Sequence, residues 1–298
     1  MMRHILLLAM LPSLALPAVA AEEVFRFTAI PDQDTARLKE RFDKVAVYLA
    51  SKLGVTVEYV PVKSYAASVS AFKNGEVQLA WFGGLSGVQA RRGVPGSQAI
   101  AQGEEDVEFV TYFIAHASTG LREKKPCACS GEDAESAFPA GIAGKTFTFG
   151  SKGSTSGRLM PEYFIRRHFG KPPGEVFERV GFSGDHSKTL ALVQSGAYQA
   201  GALNYKVWEK EMAAGIVDTS KVSVIWRTPT YPDYNWSIRG DVDQRYGEGF
   251  TGRVSEALIG MEDRALLDSF PRARFIAADN TMYAPILETG RTIGILED

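Results

Sequence analysis

Residues 146–161 read TFTFGSKGSTSGRLMP. An apolar, strand-like run from Thr146 to Phe149 enters a bend. There Ser154, Thr155 and Ser156 stand between Gly153 and Gly157, and a helix-like run leaves it. Proline fits a helix without loss only among its first four residues, whose N–H groups have no intrahelical partner. Pro161 therefore predicts a helix start near Ser156–Arg158. Three hydroxyls then gather at a helix N-terminus, where unpaired N–H groups and the positive dipole end favour an anion. The plainer reading of these residues is a capped loop with nothing bound. Three other chemistries do not fit. A hydrolase elbow needs Ser at the centre of G-x-S-x-G, and the centre here is Thr155. A P-loop needs Gly-Lys-Ser/Thr, and Lys152 lies upstream. The glycine spacing is wrong for a dinucleotide fingerprint.

Outward from this stretch, strand-like and helix-like runs alternate. Val24–Ile30 is an apolar strand candidate. Asp32 and Asp34 offer caps for a helix carrying Leu38, Phe42, Val45, Leu49 and Leu53 at helical spacing, which Gly54 stops. Val55–Pro61 and Val77–Phe82 read as strands around a helix that opens at Ser64-Tyr65 and closes at Asn74-Gly75. Gly83-Gly84 opens another helix. A longer strand, Val107–Ala117, leads to a second series: strands at Lys145–Phe149, Ala200–Asn204 and Val222–Trp226, and helices at Arg158–Phe169, His186–Gln194 and Val207–Ala213. This βα order implies largely parallel sheets with helices on both faces. Two such units joined by long strands imply a cleft, and ligands of open α/β sheets bind beyond the C-terminal strand ends.

The chain has 298 residues, 45% of them apolar, which is enough for two domains or one large one. The net charge of −2 gives no sign of a nucleic-acid-binding face. Residues 1–20, MMRHILLLAMLPSLALPAVA, combine a basic start, an apolar run and Ala18-Val19-Ala20. They read as a cleavable secretory signal, too short and Pro-broken for a membrane helix, so an exported, periplasmic chain is expected. Cys127 and Cys129 lie in a polar loop, where they read as a strained surface disulfide or a free pair. The mature chain has three His, too few nearby for a zinc site, so neither metal nor cofactor is expected.

Three motifs carry a resemblance over essentially the whole mature chain. Ser64-Tyr65-Ala66-Ala67 leads through Asn74-Gly75 to Leu79-Ala80-Trp81-Phe82-Gly83. Gly153-Ser154-Thr155-Ser156-Gly157 is followed by Pro161. Phe182-Ser183-Gly184-Asp185-His186 is the third. Together they resemble the phosphate/phosphonate branch of periplasmic substrate-binding proteins of ABC transporters. The resemblance implies a two-lobed, type II-like α/β fold, with two parallel-rich sheets joined by two crossing hinge strands, roughly Val107–Ala117 and Val222–Thr230. Residues 21–112 with 229–298 would form lobe 1 and 113–228 lobe 2. It implies a monomeric binding protein, not an enzyme, that delivers a small oxyanion to a permease and ATPase complex in the inner membrane. Ligand sensing for a histidine kinase is the alternative, and a secreted hydrolase lacks a centred nucleophile. The implied ligand-binding residues are Tyr65, Phe82, Ser154, Thr155, Ser156 and His186, with Asn204 where relatives often hold Asp. Each has a structural alternative: core aromatics for Tyr65 and Phe82, a helix cap for His186. Asn204 in place of a carboxylate, Gly84 in place of Pro and Phe82 without a hydroxyl point away from aminoalkylphosphonates. They suggest a small oxyanion of the selenate, selenite, phosphite or sulfate kind, and the motifs also resemble a selenate-transport subgroup.

Overall fold

The apolar period Leu38, Phe42, Val45, Leu49 and Leu53 becomes the buried stripe of helix α1 (Thr35–Leu53), and Gly54 ends it at φ +73. Ser64 caps α2 (Tyr65–Lys73) by accepting the Ala67 N–H at 3.1 Å. Helix α3 (Gly84–Arg92) follows directly from a strand, as the double glycine predicts. These elements belong to a computed structural model that describes residues 23–32, 35–123 and 137–297. The signal segment, Asp34 and the Cys127/Cys129 pair lie outside the described residues.

Two sheets organise the chain. Its strands in sequence order are β1 (Phe25–Ala29), β2 (Val57–Tyr59), β3 (Leu79–Phe82), β4 (Gln98–Gly103), β5 (Thr111–His116), β6 (Thr146–Phe149), β7 (Arg179–Phe182), β8 (Ala200–Asn204), β9 (Val222–Arg227), β10 (Asn235–Ile238) and β11 (Phe275–Ala277). The six-stranded sheet runs β11-β4-β10-β3-β1-β2 and the five-stranded sheet β7-β6-β8-β5-β9. The two-lobed α/β architecture is the expected one, but the sheets are mixed rather than parallel-rich. β1 is parallel to β2 and β3, and β6 to β7 and β8. β10 runs antiparallel to β3 and β4, β11 to β4, and β5 to β8 and β9. The reason is topological: β5 and β10 are each reached directly from the other sheet, with no crossover helix, and run against their neighbours, while β11 follows β10 through helices of its own lobe and keeps the direction of β10.

The chain passes between sheets at 104–110 and returns at 228–234. The two passages pair through Phe109 and Tyr231, which exchange backbone hydrogen bonds of 2.9 and 3.0 Å. The Asp233 N–H also donates to the Asp106 carbonyl at 3.0 Å. The Arg272 guanidinium, 2% exposed, clamps the Asp106 carboxylate, 0% exposed, through bonds of 2.6 and 2.7 Å. It lies 4.9 Å from the ring centre of Tyr234 and 5.6 Å from that of Phe109. Burial alone would lower the pKa of Arg272, but Asp106 outweighs burial and raises it, so the side chain stays cationic.

Candidate functional site

The hydroxyl loop folds differently from the simple helix start that Pro161 suggests. Residues Thr155–Leu159 form a wide π turn, and helix α4 begins only at Met160 (Met160–Phe169). The Leu159 N–H reaches back five residues to the Ser154 carbonyl at 3.0 Å. Pro161 thus falls in the first turn of α4, where its missing N–H costs nothing. The carbonyls left without a helical donor find others: Ser156 accepts from the Thr111 hydroxyl at 3.0 Å and Gly157 from the Gly150 N–H at 2.8 Å.

The turn gives the three hydroxyls different tasks. Ser154 Oγ caps the turn by accepting the Gly157 N–H at 2.9 Å. Thr155 Oγ1 accepts the Leu85 N–H of α3 at 3.0 Å, which ties the two sheets' lobes together. Ser156 Oγ is buried with no hydrogen-bond partner in the protein. Glycines make the fit possible. A Cβ on Gly83 would stand 3.2 Å from Asp233 Oδ1 and 3.3 Å from Thr155 Oγ1, and one on Gly153 3.2 Å from Tyr65 Cβ.

Three further groups around this loop share the condition of Ser156. Tyr65 opens α2, lies 2% exposed against Gly153, and its hydroxyl has no partner. His186 opens helix α5 (His186–Gln194) behind the cap Asp185, fully buried, with its ring against Gly157. Burial lowers its pKa to about 3, so the ring is neutral. The Asn204 N–H points at Nδ1 (3.3 Å), which is therefore the acceptor, and the proton sits on Nε2. That N–H has no partner in the protein. The fourth group is Asp233, whose Oδ1 accepts the Gly84 N–H at 2.8 Å while Oδ2 is buried and unpartnered. Burial pushes its pKa up to about 7, against the bonds from Thr155 and Gly84. Buried polar groups are normally satisfied. Three donors and a carboxyl oxygen left open around one loop can together bind an anion that accepts several hydrogen bonds and carries one proton.

Two sequence-predicted residues stand elsewhere. The Phe82 ring packs edge-on against Phe72 at 5.6 Å, in the core of its lobe. Asn204 is committed to the protein at both ends of its amide. Its oxygen caps helix α6 (Tyr205–Ala213) by accepting the Lys206 N–H at 2.8 Å, and its nitrogen donates to the Tyr234 hydroxyl at 2.9 Å. The reasoning that an amide here leaves the site without a carboxylate is thus corrected, because Asp233 supplies one. Asp233 and its neighbours were missed because nothing in Pro232-Asp233-Tyr234 marks it locally. The departure Gly84 held the usable signal: a proline there could not donate to Asp233.

Asp233 also sets a pH dependence. Its folded pKa of about 7 lies above the unfolded value of 3.8, so its contribution to stability is present below about pH 4 and lost as pH rises through 7. The ligand-free wild type should lose stability over that window, and Asp233→Asn should remove a slope worth on the order of a few kcal/mol. Denaturant melts at pH 4.5 and 7.5 check this; identical slopes in both proteins would show that Asp233 is not a buried neutral acid.

Two mixed-sheet α/β lobes joined by two paired passages have the architecture of the two-lobed solute-binding proteins. The chain belongs to the family of periplasmic substrate-binding proteins of phosphonate ABC transporters, whose model matches residues 27–283. It is 38% identical, over 93% of its length and 92% of the relative's, to a protein of Prochlorococcus marinus (strain MIT 9301) named "Probable ABC transporter phosphite binding protein PhnD1". It is 22% identical to the phosphonates-binding periplasmic protein of Escherichia coli (strain K12), over 93% of this chain and 79% of that one. The solved structure of the Prochlorococcus PhnD1 in complex with methylphosphonate superposes with a TM-score of 0.83 at 39% identity, covering 92% of this chain and 99% of that chain. A phosphonate-transporter binding component from Pseudomonas aeruginosa shares the fold, with a TM-score of 0.74 at 19% identity and coverage of 91% and 88%. Among the described residues, no helix is long and apolar enough to cross a membrane.

Proposed function

We propose that this protein captures a small phosphorus oxyanion, phosphite or methylphosphonate, between its lobes and delivers it to an inner-membrane permease and ATPase. The observation that carries this reading is the set of open buried groups: Tyr65 Oη, Ser156 Oγ, the His186 Nε2–H and Asp233 Oδ2. The three donors suit the charged oxygens of the ligand. The Asp233 carboxyl shares one proton with it, and a hydrogen phosphite or phosphonate monoanion brings that proton itself. Selenate and sulfate are fully ionised at neutral pH and bring no proton, so it must then come from Asp233, which burial favours in its protonated form. The names of the similar Prochlorococcus protein and of its methylphosphonate complex support the same ligand class. Ser154 and Thr155 act in this reading as cap and interlobe tie, and Phe82 and Asn204 as support. The lobes are taken as 21–112 with 229–298, and 113–228, turning about the paired passages, with 1–20 removed on export.

Calorimetry at neutral pH tests the ligand. Phosphite or methylphosphonate should bind at least about tenfold tighter than selenate or sulfate, a difference of about 1.4 kcal/mol. Selenate or sulfate binding as tightly as either would overturn the reading.

A further inference from the structure

A chain of buried hydrogen bonds crosses from one lobe to the other and touches the open groups only at His186, through Nδ1 and the backbone N–H rather than the open Nε2–H. It begins in lobe 1 at Asp32, 9% exposed, which follows β1. Asp32 Oδ2 accepts from the Tyr234 hydroxyl at 2.9 Å. Tyr234 lies at the end of the returning passage, 2% exposed, and its ring is held between Trp81, stacked at 5.4 Å, and the Arg272 guanidinium. The same hydroxyl accepts from Asn204 Nδ2 of lobe 2 at 2.9 Å. Asn204 in turn directs its backbone N–H at His186 Nδ1, and the His186 N–H returns to the Asp32 carbonyl at 3.1 Å. The circuit closes on itself across the cleft, and each bond in it is made by protein groups alone.

We infer that Asp32, Tyr234 and Asn204 form a ligand-independent closing relay that positions His186 and sets the rate of ligand release. The roles follow from the atoms. With its phenol donating to a carboxylate and accepting from an amide, Tyr234 spends both its donor and an acceptor lone pair on opposite lobes. Opening the cleft breaks the bond from Asn204 together with the bond from the His186 backbone N–H to the Asp32 carbonyl, while the Tyr234–Asp32 bond stays within lobe 1. Asn204 is suited to its position because it is the donor in this circuit: an acidic residue there would present a second carboxylate to the one Tyr234 proton. The relay also holds the backbone N–H that fixes the His186 tautomer, so the donor offered to the ligand is aligned when the lobes meet. Groups that stabilise the closed state without touching the ligand act on its escape rather than on its arrival.

The inference rests on the oxyanion reading only for its kinetic arm. Tyr234→Phe keeps the ring, its stacking and its contact with Arg272, and removes the hydroxyl alone. Asn204→Asp keeps the cap acceptor for α6 and removes the amide donor. Stopped-flow measurements with phosphite should show each variant releasing ligand about tenfold faster or more, with association changed less than about threefold. The double variant should be no worse than the worse single one, because both changes cut one circuit. A second arm needs no ligand. With a dye on each lobe, energy transfer in the free full-length protein should show fewer closed molecules in each variant than in wild type. Unchanged closed populations overturn the relay whatever the ligand proves to be. Where wild type binds phosphite, unchanged release or a loss confined to association overturns it also. A wild type that binds no phosphite, with closed populations that still fall, sinks the oxyanion reading and leaves the relay standing.

Discussion

Alanine at both Thr155 and Ser156 is expected to lower oxyanion affinity by two to four orders of magnitude while the protein still unfolds cooperatively. Ser156 loses a hydrogen bond to a charged ligand, about 1.5–3 kcal/mol. Thr155 is the acceptor for the Leu85 N–H across the cleft at 3.0 Å, and its removal leaves that buried donor unpaired in the closed state, about 1–3 kcal/mol. At about 1.4 kcal/mol per tenfold, the sum gives the expected range. The fold should survive because the cap of the π turn is Ser154, which is untouched. Calorimetric affinity within threefold of wild type would remove the loop from the site.

The largest effect on stability should come from Arg272→Met. It strands the fully buried Asp106 carboxylate at the junction of the two passages. Breaking a buried pair from one side costs about 3–5 kcal/mol, which for a lobe of this size lowers the melting temperature on the order of 10 °C. The double variant Arg272→Met with Asp106→Asn removes both charges and should be the more stable of the two. A single variant that melts with wild type would show that the pair contributes nothing to the join between the lobes.

Local features of the sequence carried most of the fold. The stripe of α1, the Ser64 cap and the glycine stops are physical rules acting within a few residues, and they appear where expected. The strands that closed the sheets were harder. β10 contains Asn235 and Ser237, both fully buried, of residue types that more often mark turns than strands. They are satisfied by the Arg91 guanidinium at 2.7 Å each, from a helix more than 140 residues earlier. The same distance effect governed the site. The hydroxyl loop, Tyr65 and His186 announce themselves through caps and spacing. Asp233 and Tyr234 acquire their roles from partners such as Asp32, 202 residues away, and no local pattern encodes that meeting. Asn204 was legible as an unusual residue able to donate, but its partner was not, because the acceptor comes from the returning passage.

The stacking of Trp81 on Tyr234 gives the molecule an optical readout. The indole lies 5.4 Å from a phenol ring, at 29° to it, and that phenol's oxygen joins the two lobes. When the cleft opens, the phenol loses the bond from Asn204 and keeps its bond to Asp32, which lies in the same lobe as the indole. The emission of a tryptophan responds to such a change in a neighbouring ring's hydrogen bonding and exposure to water. Separation of the lobes is therefore translated into a spectral change inside the protein, with no attached dye. A binding protein built this way lends itself to reagent-free detection of its ligand in water samples, with Trp81 as the reporting group.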